Sequence, residues 1–186
     1  MIIGLVGYAR SGKDTVAEYL VKNKVFFRSA FADPMRDALL RLNPRINIGE
    51  MLGVPLLDAV SNLGWDALKE HSADVRHLLQ RMGTEVGREM FGEDVWVKKA
   101  MEIIDRCEHV VFSDVRYQNE AEAILNAGGV LWRVQRPNVG PVNNHGSDSA
   151  LDSYPDEHFS AVIVNNGTID DLKVVINNAL DSLVSA

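Results

Sequence analysis

Gly7, Gly12 and Lys13 stand in the spacing G-x-x-x-x-G-K, within the stretch GYARSGKDT at residues 7–15. That pattern fits a polyphosphate. The glycines permit a tight loop that turns backbone N–H groups inward. A helix start adds partial positive charge, and one lysine reaches the terminal phosphates. The usual pattern continues with Ser or Thr, whose hydroxyl serves magnesium. Here Asp14 follows, and Thr15 comes one place late. Either Asp14 serves the metal, directly or through water, or Thr15 does so while Asp14 faces an acceptor or Arg116. The two lie about 100° apart on a helix, so they do not share one ligand direction. The plainer role for Asp14 is to stabilise the helix start.

Three further groups carry chemistry. A helical wheel over residues 74–91 gathers Val75, Leu78, Leu79, Met82, Val86 and Met90 on one side. His77, Gln80, Arg81, Thr84 and Arg88 gather opposite, with Glu85 pointing elsewhere. Arginine forks suit phosphate oxygens, and an amide or hydroxyl reads a base or sugar edge. The plain alternative is a solvated face. In FADPMRDAL, Asp33 is expected to cap a helix that Pro34 begins, with Arg36 in its first turn. In VVFSDVRYQNE, Asp114 and Arg116 follow a buried strand, at the edge where α/β folds bind ligands. There Asp114 suits a magnesium ion or its waters and Arg116 suits a phosphate; the plain alternative is an Asp–Arg ion pair.

The elements that position these residues alternate. Apolar runs at 2–6, 25–31, 109–113, 130–135 and 161–165 read as strands, with helices at 13–22 and 168–184. Residues 33–107 read as mostly helix without a convincing strand. Residues 136–158, rich in Pro, Gly, Asn and Asp, read as a long loop of the kind that forms lids. The chain has 186 residues, enough for one domain. Its net charge of -7 argues against a nucleic-acid partner but not against a small phosphorylated ligand. Cys107 is the lone cysteine, which leaves no disulfide framework and no Cys-based metal cluster. No apolar run approaches a membrane span and no signal peptide precedes the loop, so a cytoplasmic protein is expected.

GYARSGKDT, FADPMR, LGWDALKE, VRHLLQRMGTEVGREMFGEDVWV, SDVRYQNEAEAI, GGVLWRVQRP and VNNGTIDDL occur in this order. The set resembles the bacteriophage deoxynucleoside monophosphate kinases, from residue 2 to about residue 172. The resemblance implies a P-loop NTPase three-layer α/β fold: a five-stranded parallel sheet with a helical nucleotide-acceptor insertion and a lid loop. It divides a single domain into a core of about 1–31 and 108–186, an insertion of about 32–107 and a lid of about 137–158. The implied reaction moves the γ-phosphoryl group of ATP to a deoxynucleoside 5′-monophosphate, with Mg²⁺. ATP would meet Gly7, Ala9, Arg10, Ser11, Gly12, Lys13, Asp14, Thr15, Arg133 and Arg136. The acceptor would meet Asp33, Arg36, Trp65, Gln80, Arg81, Thr84, Arg88 and Arg116. Lys13, Arg116, Arg10 and Asp14 would serve the chemistry, and Asp14, Thr15 and Asp114 the metal. The family's His-x-Ser-Glu segment reads here as His145, Ser147 and Asp148. No nucleic acid or membrane partner is implied, and a homodimer is left open. Two other readings compete: a P-loop kinase for a phosphorylated metabolite, and a non-catalytic ATP-binding module.

Overall fold

Five apolar runs form one parallel sheet in the computed structural model, which describes residues 1–140, 151 and 154–184. Its strands are β1 (Ile2–Val6), β2 (Phe27–Ser29), β5 (Val110–Val115), β6 (Val130–Gln135) and β7 (Phe159–Val164). Their spatial order is β2-β5-β1-β6-β7. β1 is central, with Ile3 aligned to Val111 on one side and Val130 on the other. Helix α1 (Lys13–Lys24) follows β1, α7 (Gln118–Asn126) joins β5 to β6, and α8 (Ile169–Val184) follows β7. Val16, Ala17 and Leu20 of α1 join Leu172, Ile176 and Leu180 of α8 over Ile3, Leu5, Val111 and Trp132. The Leu172–Ile176–Leu180 stripe is the i, i+4 repeat of a helix lying on a sheet. Thr168 begins α8 with a reciprocal cap: its N–H and hydroxyl donate to Asp171 Oδ2, and Asp171 N donates to Thr168 Oγ1. Those bonds hold the Asp171 carboxyl below its ordinary pKa.

β1 leads outward to β2, whereas β6 leads to β7 on the other side. The carboxyl ends of β1 and β6 therefore flank the point where the strand order reverses, which is where open α/β sheets bind ligands.

The chain divides into two compact units, residues 1–31 with 101–186, and residues 32–100. The second has its own core of Leu39, Ile46, Ile48, Leu56, Ala59, Leu68 and Val75. Its elements are α2 (Asp33–Leu42), β3 (Arg45–Ile48), β4 (Met51–Pro55), α3 (Leu56–His71), α4 (Ala73–Arg81), a π-helical turn (Met82–Arg88), α5 (Glu89–Phe91) and α6 (Val95–Met101). The expectation of a region without strands fails: β3 and β4 form an antiparallel hairpin that buries Ile46 and Ile48. Gly49, at φ 56, supplies the left-handed residue of its two-residue turn.

The wheel over residues 74–91 also needs correction. It assumes one α-helix, but the π turn widens the helix at Met82–Arg88 and shifts the phase of everything after it. Met90, expected in the core, is 68% exposed. Glu85, expected to point away, accepts from Arg81 Nε at 2.9 Å, as i, i+4 neighbours on one helical face do with or without the π turn. The second strand is shorter than expected, because Val25 takes a left-handed conformation (φ 60) and closes α1 by donating to Leu20 O. Asp33 is the first residue of α2 and not its cap; the cap position is Ala32. β5 runs to Val115, so Asp114 lies within the strand and Arg116 directly after it.

Candidate active site

Between β1 and α1 the chain makes the loop that the spacing predicts. Gly7 and Gly12 have φ of 152 and 110. A Cβ at Gly7 would sit 2.3 Å from Val134 O, and one at Gly12 would sit 2.4 Å from Asn165 Nδ2. Both positions therefore demand glycine. Asn165, just past β7, braces the loop by donating to Ser11 O at 2.9 Å. Lys13 Nζ donates to Gly7 O at 2.7 Å and Tyr8 O at 2.8 Å, which curls its ammonium over the loop. Ser11 Oγ is buried and makes no hydrogen bond among the described residues.

A cleft of about 270 Å³ opens on this loop. Gly7, Tyr8, Ala9, Ser11 and Lys13 form one side; Arg116 and Arg136 reach it from just past β5 and β6, and Arg133 from within β6. Lys13 and three arginines distant from it in sequence thus bring cationic side chains to one cleft at the strand-order reversal. Arg10, Asp14 and Thr15 are exposed and stand outside its lining.

The turn carrying Arg116 is fixed from below. Glu120 is buried, and its Oε2 accepts the backbone N–H groups of Arg116 at 2.7 Å and Tyr117 at 3.1 Å. Sequence reasoning missed Glu120; its signal was an acid at the third position of a helix, which binds N–H groups at the start. Asp114 Oδ1 accepts Phe31 N–H at 2.7 Å and so ties the chain beyond β2 to β5. Arg28 was missed as well. It donates to Asp14 Oδ1 through Nη2 and to Ser113 Oγ through Nε, the latter at 3.1 Å. The signal was a lone arginine inside an apolar strand run. Arg133, which lines the cleft, also pairs with Asp156 at 2.8 Å, donates to Tyr154 O and lies 4.1 Å over the Phe159 ring. That places its charge on the segment leading into β7.

The second unit presents its own polar residues. Arg36 Nη1 donates to Asp33 Oδ1 at 3.2 Å, while its Nε is buried without a hydrogen bond among the described residues. Gln80, Arg81 and Thr84 are exposed and Arg88 is half-buried. Trp65, just after the Gly64 kink in α3, packs on the unit's core. His145, Ser147 and Asp148 lie outside the described residues, as does much of the expected lid.

A family profile described as deoxynucleotide monophosphate kinase matches residues 57–176. The chain belongs to the deoxynucleotide monophosphate kinase family. A protein of Acanthamoeba polyphaga mimivirus is 30% identical over 98% of the chain and 97% of its own length. The protein named deoxynucleotide monophosphate kinase in Escherichia phage RB69 is 24% identical, over 96% of this chain and 99% of its own. Its namesake in Enterobacteria phage T4 is 23% identical, over 98% and 99%. The profile match takes in the Gln80–Arg88 turn and the Arg116 turn. The Gly7–Lys13 loop lies before it, outside the profile match.

Proposed function

We propose that this kinase transfers the γ-phosphoryl group of ATP to a deoxynucleoside 5′-monophosphate, giving the diphosphate. The observation that carries the mechanism is the convergence of Lys13 and Arg116 on the phosphate-loop cleft. Phosphoryl transfer passes through a loose transition state whose charge sits on the equatorial oxygens. The protein therefore supplies position and positive charge. Backbone N–H groups of residues 7–15 cradle the polyphosphate, Lys13 counters charge on the transferring group, and Arg116, pinned by Glu120, meets it from β5. Arg10 would join from the exposed side of the loop, and Arg136, at the cleft, would face the nucleoside of ATP. No general base is needed, because the acceptor is already a phosphate anion.

Magnesium suits the donors present. Among the described residues there is no cluster of three or more His, Cys, Asp or Glu side chains. A nucleotide-bound Mg²⁺ needs none, since it keeps waters and phosphate oxygens and takes one or two protein oxygens. Asp14, Thr15 and Asp114 offer such hard oxygens; the ion would neutralise the donor's phosphates when bound.

Acceptor recognition falls to Asp33, Arg36, Trp65, Gln80, Arg81, Thr84 and Arg88 of residues 32–100, which offer guanidinium forks, an amide, a hydroxyl, a carboxylate and an indole. Arg81 would have to leave Glu85 to serve. The partners are small molecules, the kinase acts in the cytoplasm (the host's, for a viral member), and a homodimer is compatible with this. No helix among the described residues is long and apolar enough to cross a membrane.

A coupled ADP-release assay over the deoxynucleoside monophosphates and a set of phosphorylated metabolites tests the assignment. Turnover with at least one dNMP is expected. Turnover with a non-nucleotide alone, or ATP binding with no acceptor-dependent turnover, overturns it.

A further inference from the structure

Asp14 stands where phosphate loops usually carry a neutral hydroxyl, and the structure gives it a partner from outside the loop. Arg28, on β2, donates to Asp14 Oδ1 through Nη2 and to Ser113 Oγ on β5 through Nε at 3.1 Å. Ser113 is buried and precedes Asp114. The first turn of α1 is thus bound through one guanidinium to the two strands beside it.

We propose that Arg28 is a positioning residue for the nucleotide site, acting through Asp14. The inference rests on the ATP assignment above. An unpaired carboxylate at the start of α1 would repel the phosphates that the helix receives. Paired with Arg28, Asp14 contributes no net charge, which restores the balance that a Ser or Thr gives by default. The guanidinium is planar and held at a second point by Ser113, so it sets the carboxylate's direction as well as its charge. That directed oxygen donor is what a hydrated magnesium ion takes from a protein.

A purely structural role fits less well. The two side chains are 45% and 82% exposed, and exposed ion pairs add little to folding stability. A fold staple would be buried. Arg28 and Asp14 act as a unit, so their substitutions should be coupled.

The test is calorimetric titration of ATP, with and without Mg²⁺, into the wild type, Arg28→Gln, Asp14→Ser and the double variant. Arg28→Gln should weaken MgATP binding about tenfold or more and shrink the gain in affinity from Mg²⁺; in the Asp14→Ser background it should cost under about threefold. Thermal midpoints should stay within a few degrees. Arg28→Lys keeps the charge without the fork and should fall between; it carries the test if Arg28→Gln does not fold. Equal costs in both backgrounds, or unchanged MgATP affinity, overturn the inference while leaving the ATP assignment intact. A wild type that binds no ATP overturns both.

Discussion

Lys13 is held over the loop by the carbonyls of Gly7 and Tyr8. Its ammonium is therefore at the cleft before any ligand arrives, and its removal should be felt in the chemical step. Lys13→Met is expected to lower kcat by about a hundredfold or more, since a charge aimed at the transferring group acts mainly in the transition state. Steady-state kinetics checks this, and an unchanged kcat would remove the loop from the mechanism. Arg36 makes a different case. A buried donor left without a partner costs about 1–3 kcal/mol, and Arg36 Nε is one among the described residues. Such groups are few in native proteins, and a waiting ligand is one physical reason to keep one. Arg36→Met should raise KM for the dNMP about tenfold while KM for ATP stays within about twofold, with no loss of thermal stability. A lowered thermal midpoint with an unchanged acceptor KM would make Arg36 a structural residue.

Among the elements, the main sheet was legible because a parallel strand buried on both faces reads as an unbroken apolar run. IIGLV and VLWRVQ are such runs, and they are β1 and β6. The hairpin of β3 and β4 was not legible in the same way. Its strands expose Arg45, Asn47, Met51 and Leu52, so only the Ile46–Ile48 alternation and Gly49 signalled it. The π turn left a weaker trace, because no propensity separates it from an α-helix. What it required was small residues: a Cβ on Gly87 would lie 2.3 Å from Trp96 Nε1, and Trp96 in turn donates to Gly83 O at 2.9 Å. Gly87→Ala should therefore displace the indole. It is expected to cost about 1–3 kcal/mol of stability and to raise the dNMP KM, because the turn carries Thr84 and Arg88. Chemical denaturation and tryptophan fluorescence read the first effect, and kinetics the second. A silent Gly87→Ala would show that the turn tolerates a regular α-helix. The cleft positions of Lys13 and Arg116 were legible because a motif names each of them. Arg28 and Glu120 were not, because their roles depend on which strand and helix ends the topology brings together.

At the scale of the molecule, two cores stand in two compact units. Leu172, Ile176 and Leu180 pack with Val16 and Leu20 in the first unit, while Leu39, Ile46 and Leu56 make the second unit's core from its own residues alone. Units with separate cores can open and close as separate cooperative blocks, and a ligand raises protection most in the block it contacts. The overall charge of -7 sharpens this, since anionic substrates gain nothing from the protein's general field and must rely on local cations in each unit. Amide hydrogen exchange then separates the two substrates. A non-hydrolysable MgATP analogue should slow exchange chiefly in residues 7–16 and 113–117, with little change in 74–91. A dNMP alone should slow exchange in 33–40 and 78–90. At a hundredfold excess over Kd each ligand is worth about 2.7 kcal/mol, which is about a hundredfold in the exchange of amides that open only with their block. Protection by the dNMP confined to the phosphate loop would show that residues 32–100 do not hold the acceptor, and the role assigned to Arg36, Arg81 and Arg88 would fall with it.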